Sequence, residues 1–431
     1  MIAPLVLRTF ALVSAALASA SSDTLTLERA LELAREGQPA ARLARQDRMV
    51  VQARREQAMG ALLPVVTASS DLSRLGPNGG GEGRSTAASR MDPDAQWRTT
   101  LGARWIVFDG FRSWNALGAL SARERAAQAL EKDALSSSEE IAATRWTESW
   151  LAARKVAIAR EVLATTVVRS EVARRRLEIG TEAGLEARQA ALDASRDSLS
   201  LLRTSAAHER SLRALELALG LDVPAAIAVA ETVPVDTTDP MPGGVANPTP
   251  DVQALVALED ASRRELAATR GTWWPELSLY ADYAWLGALQ DDEPPADAWS
   301  QGMVYGAKAS WVLFEGFRNG ARAREAAATL ERAAVQRVAR EREQAARLAD
   351  AQQRWETARA SWTLEARNEE QSALVLEAAL ARYRAGALSG LDLRRYQDSR
   401  SQARLDADEA RAEVVLSRLA LRRAMGLTSE R

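Results

Sequence analysis

"WIVFDGFR", residues 105–112, returns as "WVLFEGFR", residues 311–318. In each copy an apolar run of aromatic and branched side chains meets an acid and a glycine, then a long proline-free stretch rich in alanine, arginine and glutamate. The first half of that pattern favours a strand and the second a helix. A glycine between them lets the backbone turn sharply, and an acid just ahead of a helix meets its free amides. Asp109-Gly110 and Glu315-Gly316 therefore read as strand-to-helix turns. A nucleotide-binding or catalytic reading of F-D-G finds no accompanying lysine, glycine loop or ligand cluster in the sequence.

The repeat extends far beyond the octapeptide. Arg176, Gly180, Gly184, Leu185, Arg188 and Gly220 return, each 206 positions later, as Arg382, Gly386, Gly390, Leu391, Arg394 and Gly426, and Glu186 returns as Asp392. Agreement without gaps over such a length is an internal duplication. Upstream, Leu62-Leu63-Pro64 corresponds to Trp273-Trp274-Pro275 at a spacing of 211. The difference of five belongs in a surface loop, and "GPNGGGEG" at 76–83 is the place for it.

Proline positions outline the architecture, because proline breaks helix interiors. None lies between Pro93 and Pro224 or after Pro295, whereas six crowd the stretch from Pro224 to Pro250. Residues 21–220 and 251–431 thus form two repeats, joined by a proline-rich linker at 221–250. Within each repeat, apolar residues recur at 3-4 spacing, as in Trp146, Trp150, Ala153 and Ala157. Helical hairpins are expected over about 112–219 and 318–425, reversing at the glycines near 180–184 and 386–390. At about 1.5 Å per residue the first arm of each is on the order of 100 Å long. That is too long for a compact domain.

Ahead of the hairpins the periodicity drops to two. Trp97, Thr99, Leu101, Ala103, Trp105 and Val107 alternate with Arg98, Thr100, Gly102 and Arg104; Leu277, Leu279, Ala281, Tyr283 and Trp285 alternate with Glu276, Ser278, Tyr280 and Asp282. Strands are expected at about 65–75, 97–108, 276–286 and 303–314. Trp97 and Trp105 share a face and, in a strand tilted about 40°, stand roughly 20 Å apart, near the height of an apolar band bounded by aromatic girdles. Trp285 and Trp311 complete the candidate girdle. Four strands cannot close a barrel, and an open edge in lipid would desolvate its backbone groups. The sheet must therefore be completed by other copies of the chain.

Composition agrees with an exported protein. Residues 1–20 carry one arginine in an apolar run ending Ala18-Ser19-Ala20, the form of a cleavable secretory signal. The sequence has no cysteine, so no disulfides staple it and no lipid is attached through one. With 56 basic and 58 acidic residues, interleaved along periodic segments, no basic patch offers itself to nucleic acid. His208 is the sole histidine and sits in a helical arm, so no metal site is expected.

A signal peptide, a duplicated strand–strand–hairpin unit, W-x-x-F-[DE]-G at each strand-to-helix passage and R-x-x-x-G-x-x-x-G-L-[ED] at each reversal resemble the TolC-type outer-membrane efflux proteins over essentially the whole mature chain. The resemblance implies a mixed fold of helices and transmembrane strands. In it, a homotrimer forms a twelve-stranded β-barrel in the outer membrane of a Gram-negative cell, continuous with a periplasmic α-helical barrel. It implies a duct without enzymatic activity or cofactor, partnered by a periplasmic adaptor (membrane fusion protein) and an inner-membrane transporter, for efflux or type I secretion. It places adaptor contact at the tips: Gly180, Thr181, Gly184 and Leu185, and Gly386, Ala387, Gly390 and Leu391. The family carries an acid at the position of Asp392 and another three residues on, forming a ring at the closed periplasmic entrance. Here Arg395 stands at the second position, so Asp392, with Glu186 in the first copy, is either part of a constriction or half of an Asp392–Arg395 surface pair. The rival reading of the whole chain is a periplasmic coiled-coil scaffold or adaptor that never enters the membrane.

Overall fold

The computed structural model describes residues 24–74, 95–179, 184–221, 228–230, 233, 235, 236, 238, 247–289, 299–385 and 387–427. The expected signal at 1–20, most of the linker and the tips of the two strand-connecting loops lie outside them.

The elements, in chain order, are α1 (Leu27–Gly37), α2 (Pro39–Gly60), β1 (Val65–Arg74), β2 (Ala95–Phe108), α3 (Arg112–Glu178), α4 (Gly184–Ala218), α5 (Pro250–Gly271), β3 (Glu276–Leu289), β4 (Trp299–Ser310), α6 (Arg318–Arg384) and α7 (Gly390–Ala424). The duplication is visible in their lengths. α3 and α6 each have 67 residues, α4 and α7 each have 35, and α2 and α5 each have 22. Both of the last pair begin on a proline, whose fixed φ suits a first helical position and whose missing N–H costs nothing there. The short α1 starts at Thr26, whose hydroxyl accepts the Arg29 amide at 3.3 Å. Sequence periodicity alone gave no reason to separate α1, α2 and α5 from their surroundings.

The chain divides into two compact units. One contains residues 47–129 and 253–339, and its centre is a four-stranded antiparallel sheet in the order β1-β2-β3-β4. The β2–β3 pairing joins the two repeats, with Trp97 opposite Gly287 and Trp105 opposite Leu279. β4 pairs with β3 from Glu276↔Ser310 to Gly287↔Trp299. The strand expected at about 303–314 therefore lies at 299–310. Among the described residues its one partner is β3, which begins at Glu276, so the ladder stops at Ser310. Among the described residues, β1 and β4 each leave one long edge unpaired.

The other unit contains the described residues up to Gln46 together with 130–252 and 340–431. Its main core packs α1 (Ala30, Ala34) against Trp146 and Trp150 of α3, Leu215 of α4 and Leu219 just past its end, with Ala412 of α7. Trp146 and Trp150 are buried, and the Trp146 indole donates to the Leu25 carbonyl at 2.9 Å. A buried aromatic of this size is worth about 3–5 kcal/mol against alanine. The segment ahead of α1 is fixed by a parallel bridge between Leu25 and Val229. A second core gathers Trp355, Val414 and Leu421.

Candidate functional site: sheet faces and hairpin tips

Alternation along the strands gives the sheet two unlike faces. Leu72, Trp97, Leu101, Trp105, Leu279, Tyr283, Trp285, Met303 and Tyr305 stand on one, by the pairings Leu72↔Trp97, Trp105↔Leu279, Trp285↔Thr99 and Tyr283↔Met303. Asp71, Arg98, Arg104, Asp282 and Lys308 stand on the other. On the charged face Asp282 lies over Gly102, where an added Cβ would meet its Oδ1 at 2.5 Å. On the apolar face the polar groups bond to each other: the Trp97 indole donates to Ser70 Oγ at 2.7 Å and the Tyr283 hydroxyl to Gln301 at 2.9 Å. Leu101, Trp105, Leu279, Met303 and Tyr305 are all exposed in the single chain. That is an arrangement for a solvent of hydrocarbon on one side and water on the other.

Both strand-to-helix passages have the same backbone. Gly110 and Phe111 have φ of 70° and 62°, and Gly316 and Phe317 have 62° and 65°. The left-handed region is natural for glycine but costs a phenylalanine about 1–3 kcal/mol. Each phenylalanine ring meets the preceding one edge-on, Phe108–Phe111 and Phe314–Phe317, at 5.5 Å between centroids. The tryptophans anchor alike: the Trp105 indole donates to the Leu62 carbonyl at 2.9 Å, and Trp311 to that of Trp273 at 3.1 Å.

The acids differ. Asp109 is buried and accepts the Ser113 amide at 2.9 Å as well as its hydroxyl, which caps α3 directly. Glu315 takes the side chains of Arg318 (2.8 Å) and Arg322 (3.3 Å) instead. Asn319 stands where the first copy has Ser113, and the extra methylene carries the Glu315 carboxylate past the backbone to the guanidinium groups.

At the hairpin tips, Gly180, Thr181 and Gly386 lie outside the described residues, as does the Glu186 side chain. Leu185 and Leu391 are exposed, and Ala387 donates its amide to the Arg382 carbonyl at 2.9 Å, closing the end of α6. Ser389 caps α7 by accepting the Asp392 amide at 3.1 Å, and its hydroxyl donates to the Asp392 carboxylate at 2.7 Å. Asp392 also faces Arg395 at 3.5 Å. The first copy has Ala183 in place of Ser389 and so lacks the hydroxyl that makes this bond.

Just behind the tips lies a cluster of which the duplication marked only Arg394, the counterpart of Arg188. Arg394 of α7 grips Asp197 of α4 with two bonds, Nη1 to Oδ2 at 2.7 Å and Nη2 to Oδ1 at 2.8 Å, and donates to Thr166 of α3 at 2.9 Å. Thr166 in turn donates to Asp197 at 2.7 Å. Arg169 of α3 pairs with Asp193 of α4 and reaches the Gly390 carbonyl at 3.4 Å. Burial pushes the Asp197 carboxyl up, but the hydrogen bonds from Arg394 and Thr166 and the charges of Arg394 and Arg169 outweigh it and hold the group below the usual carboxylate range. The cluster ties the return helix of the second repeat to both arms of the first hairpin. Its acids Asp193 and Asp197 carry only an i,i+4 spacing, and such pairs are common in a chain with 56 basic and 58 acidic residues.

Residues 245–427 match the outer membrane efflux protein family. No curated protein matches the chain. Among solved structures, the chain is similar to the CmeC outer membrane channel of Campylobacter jejuni, with 15% identity, a TM-score of 0.83 and coverage of 94% of this chain and 87% of that one. It is also similar to the outer membrane protein VceC of Vibrio cholerae (18% identity, TM-score 0.76, coverage 93% and 96%). For the open state of the MtrE outer membrane channel of Neisseria gonorrhoeae the values are 17%, 0.76, 94% and 90%. At such identities the likeness is one of fold.

Proposed function

From a chain that carries an outer membrane efflux protein domain over its second repeat and the fold of TolC-type outer-membrane channels over nearly its whole length, we propose a homotrimeric duct from the periplasm through the outer membrane. Three four-stranded sheets make a twelve-stranded barrel, and the hairpins make the helical barrel that continues it. The duct is passive, has no enzymatic activity and needs no cofactor. Its energy comes from an inner-membrane transporter, reached through a periplasmic adaptor that docks at the tips around Gly180, Gly184 and Leu185 and around Gly386, Gly390 and Leu391. Asp392, with Arg395 and Glu186, lines the periplasmic gate, and Trp97, Trp105, Trp285 and Trp311 sit at the two lipid–water boundaries.

The sheet carries this reading. Its apolar face is exposed and, among the described residues, its two edges are open; open edges are not tolerable in lipid unless other strands pair with them. A scaffold confined to the periplasm would have no use for such a face. The test is extraction: the protein should leave outer membranes only with detergent and run as a heat-sensitive trimer in mild denaturing electrophoresis. A water-soluble monomer obtained without detergent would overturn the reading.

A further inference from the structure

The duplicated chain holds two unlike versions of one helix junction, and only one of them is filled. Inside the chain, α7 lies against α3 through ion pairs. Arg423 bonds Glu140 and lies 3.3 Å from Asp133; Arg154 meets the buried Asp408 at 2.9 Å; Lys155 meets Glu409 at 3.0 Å. In the other copy these positions belong to α4 and α6, and the charges are gone together. Arg423 becomes Leu217, while Asp133 and Glu140 become Ala339 and Ala346; Asp408 becomes Leu202 and Arg154 becomes Ala360. Arg203 and Ser361 replace Glu409 and Lys155, which leaves a cation with no acid opposite.

In the single chain that second set of positions is bare. Leu217 is 78% exposed and Leu202 67%, and Leu364 is 59% exposed where its counterpart Ile158 is 6%. Ala339, Ala346 and Ala360 are exposed as well.

Glycines give an independent sign. Gly110 and Gly271 touch back to back: a Cβ on the first would lie 2.3 Å from the Gly271 carbonyl oxygen, and one on the second 2.6 Å from that of Gly110. Their counterparts, Gly316 and Gly60, have nothing within 4 Å. Gly60 is the last residue of α2 and is not among the glycines with a positive φ, so no left-handed helix end calls for glycine there. A neighbouring backbone would ask for it.

Resting on the trimer reading, we infer that the α4 face of one chain, at Leu202 and Leu217, docks on the α6 face of the next, at Ala346, Ala360 and Leu364. The register is that of the internal α7–α3 junction, and Gly60 of one copy meets Gly316 of its neighbour. A head-to-tail contact of this kind closes into a ring. The split chemistry also sorts the helices: exchanging partners would set Arg423 and the buried Asp408 against alanines and Glu140 against leucine, leaving their charges unpaired.

Because the chain has no cysteine, introduced ones react alone. In the full-length protein in outer membranes, Leu217→Cys with Ala346→Cys and a short bis-maleimide should yield covalent dimers and trimers on denaturing gels. The internal pair Arg423→Cys with Glu140→Cys should link within one polypeptide and give no multimer. Separately, Leu217→Arg should reduce the detergent-stable oligomer roughly tenfold or more, and Leu217→Arg with Ala346→Glu, which copies the Arg423–Glu140 pair, should restore it. Absence of intermolecular links, or wild-type assembly of Leu217→Arg, in a protein that is still trimeric would overturn this contact and leave the duct standing. A monomeric wild type would overturn the duct reading itself and this contact with it.

Discussion

Replacing Arg394 with alanine should release the start of α7 from the first hairpin. Arg394 supplies both guanidinium bonds to Asp197, whose side chain is only 9% exposed, and a third bond to Thr166. Removing one partner of a buried pair costs about 3–5 kcal/mol when nothing else compensates. Here the Thr166 hydroxyl and the charge of Arg169 remain beside Asp197, which reduces the loss to about 2 kcal/mol, or roughly 30-fold in the docking equilibrium. Single-channel recording in planar bilayers should show this as a larger or longer-lived open conductance. In a cycle with Asp197→Ala, the double variant should behave like either single one, because the second change removes a contact already lost.

Acid should act through the same pair, and the sign follows from the Asp197 carboxyl lying below its ordinary value. A depressed carboxylate stabilises fully above the unfolded value, about 3.9, and loses that contribution as pH falls through the lower folded one. Conductance should therefore be flat from about pH 5 to 8 and rise only below about pH 4, and Arg394→Ala should remove the acid response. Additive effects in the cycle, unchanged conductance with trimers intact, or a transition near neutral pH would refute the reasoning.

Asp392→Asn keeps a side chain able to accept from Ser389 but removes the charge, so block of the channel by divalent cations should weaken; unchanged block takes Asp392 out of the gate. A large side chain at Gly386 should abolish export while trimers still form, and normal export would refute docking at that tip. Asp109→Ala removes both bonds to Ser113 and should lower stability by about 1–2 kcal/mol. Glu315→Ala, which loses only exposed arginine pairs, should cost less than about 1 kcal/mol; equal shifts in the heat-dissociation midpoint would show that both acids cap alike.

The fold was legible where local chemistry repeats. Both octapeptides lie at strand-to-helix passages, and the stretches 112–219 and 318–425, expected as helical hairpins from proline spacing and composition, hold α3 with α4 and α6 with α7. What sequence could not reach depends on partners from distant positions. β4 ends at Ser310 because its partner β3 begins only at Glu276, a fact about two distant residues together. The α1 helix owes its place to Trp146, Trp150 and Leu215, more than a hundred residues away. The strain at Phe111 and Phe317 was hidden because phenylalanine is an improbable residue for a positive φ, and the glycine beside it drew the expectation. The Arg394–Asp197–Thr166 cluster joins three helices, and no one-dimensional pattern says which of many arginines will meet which acid.

Duplication in this chain keeps geometry and releases chemistry. Dihedrals, aromatic contacts and indole anchors are the same at both passages, because each passage must re-aim a strand into a helix and little but that backbone does so. Charge is free to differ because it answers to the neighbour, and the neighbours differ: a repeat of the same chain on one side and open surface on the other. The internal contact can rely on ion pairs, since covalent connection already holds both partners at high effective concentration and the charges mainly choose the register. A contact with no such tether gains more from apolar area, which attracts without demanding that two long side chains be ordered. The leucines at 202 and 217 stand where aspartate and arginine stand in the other copy for that reason, and their exposure in one chain marks the unfilled half of a contact whose filled half is already present as α7 on α3.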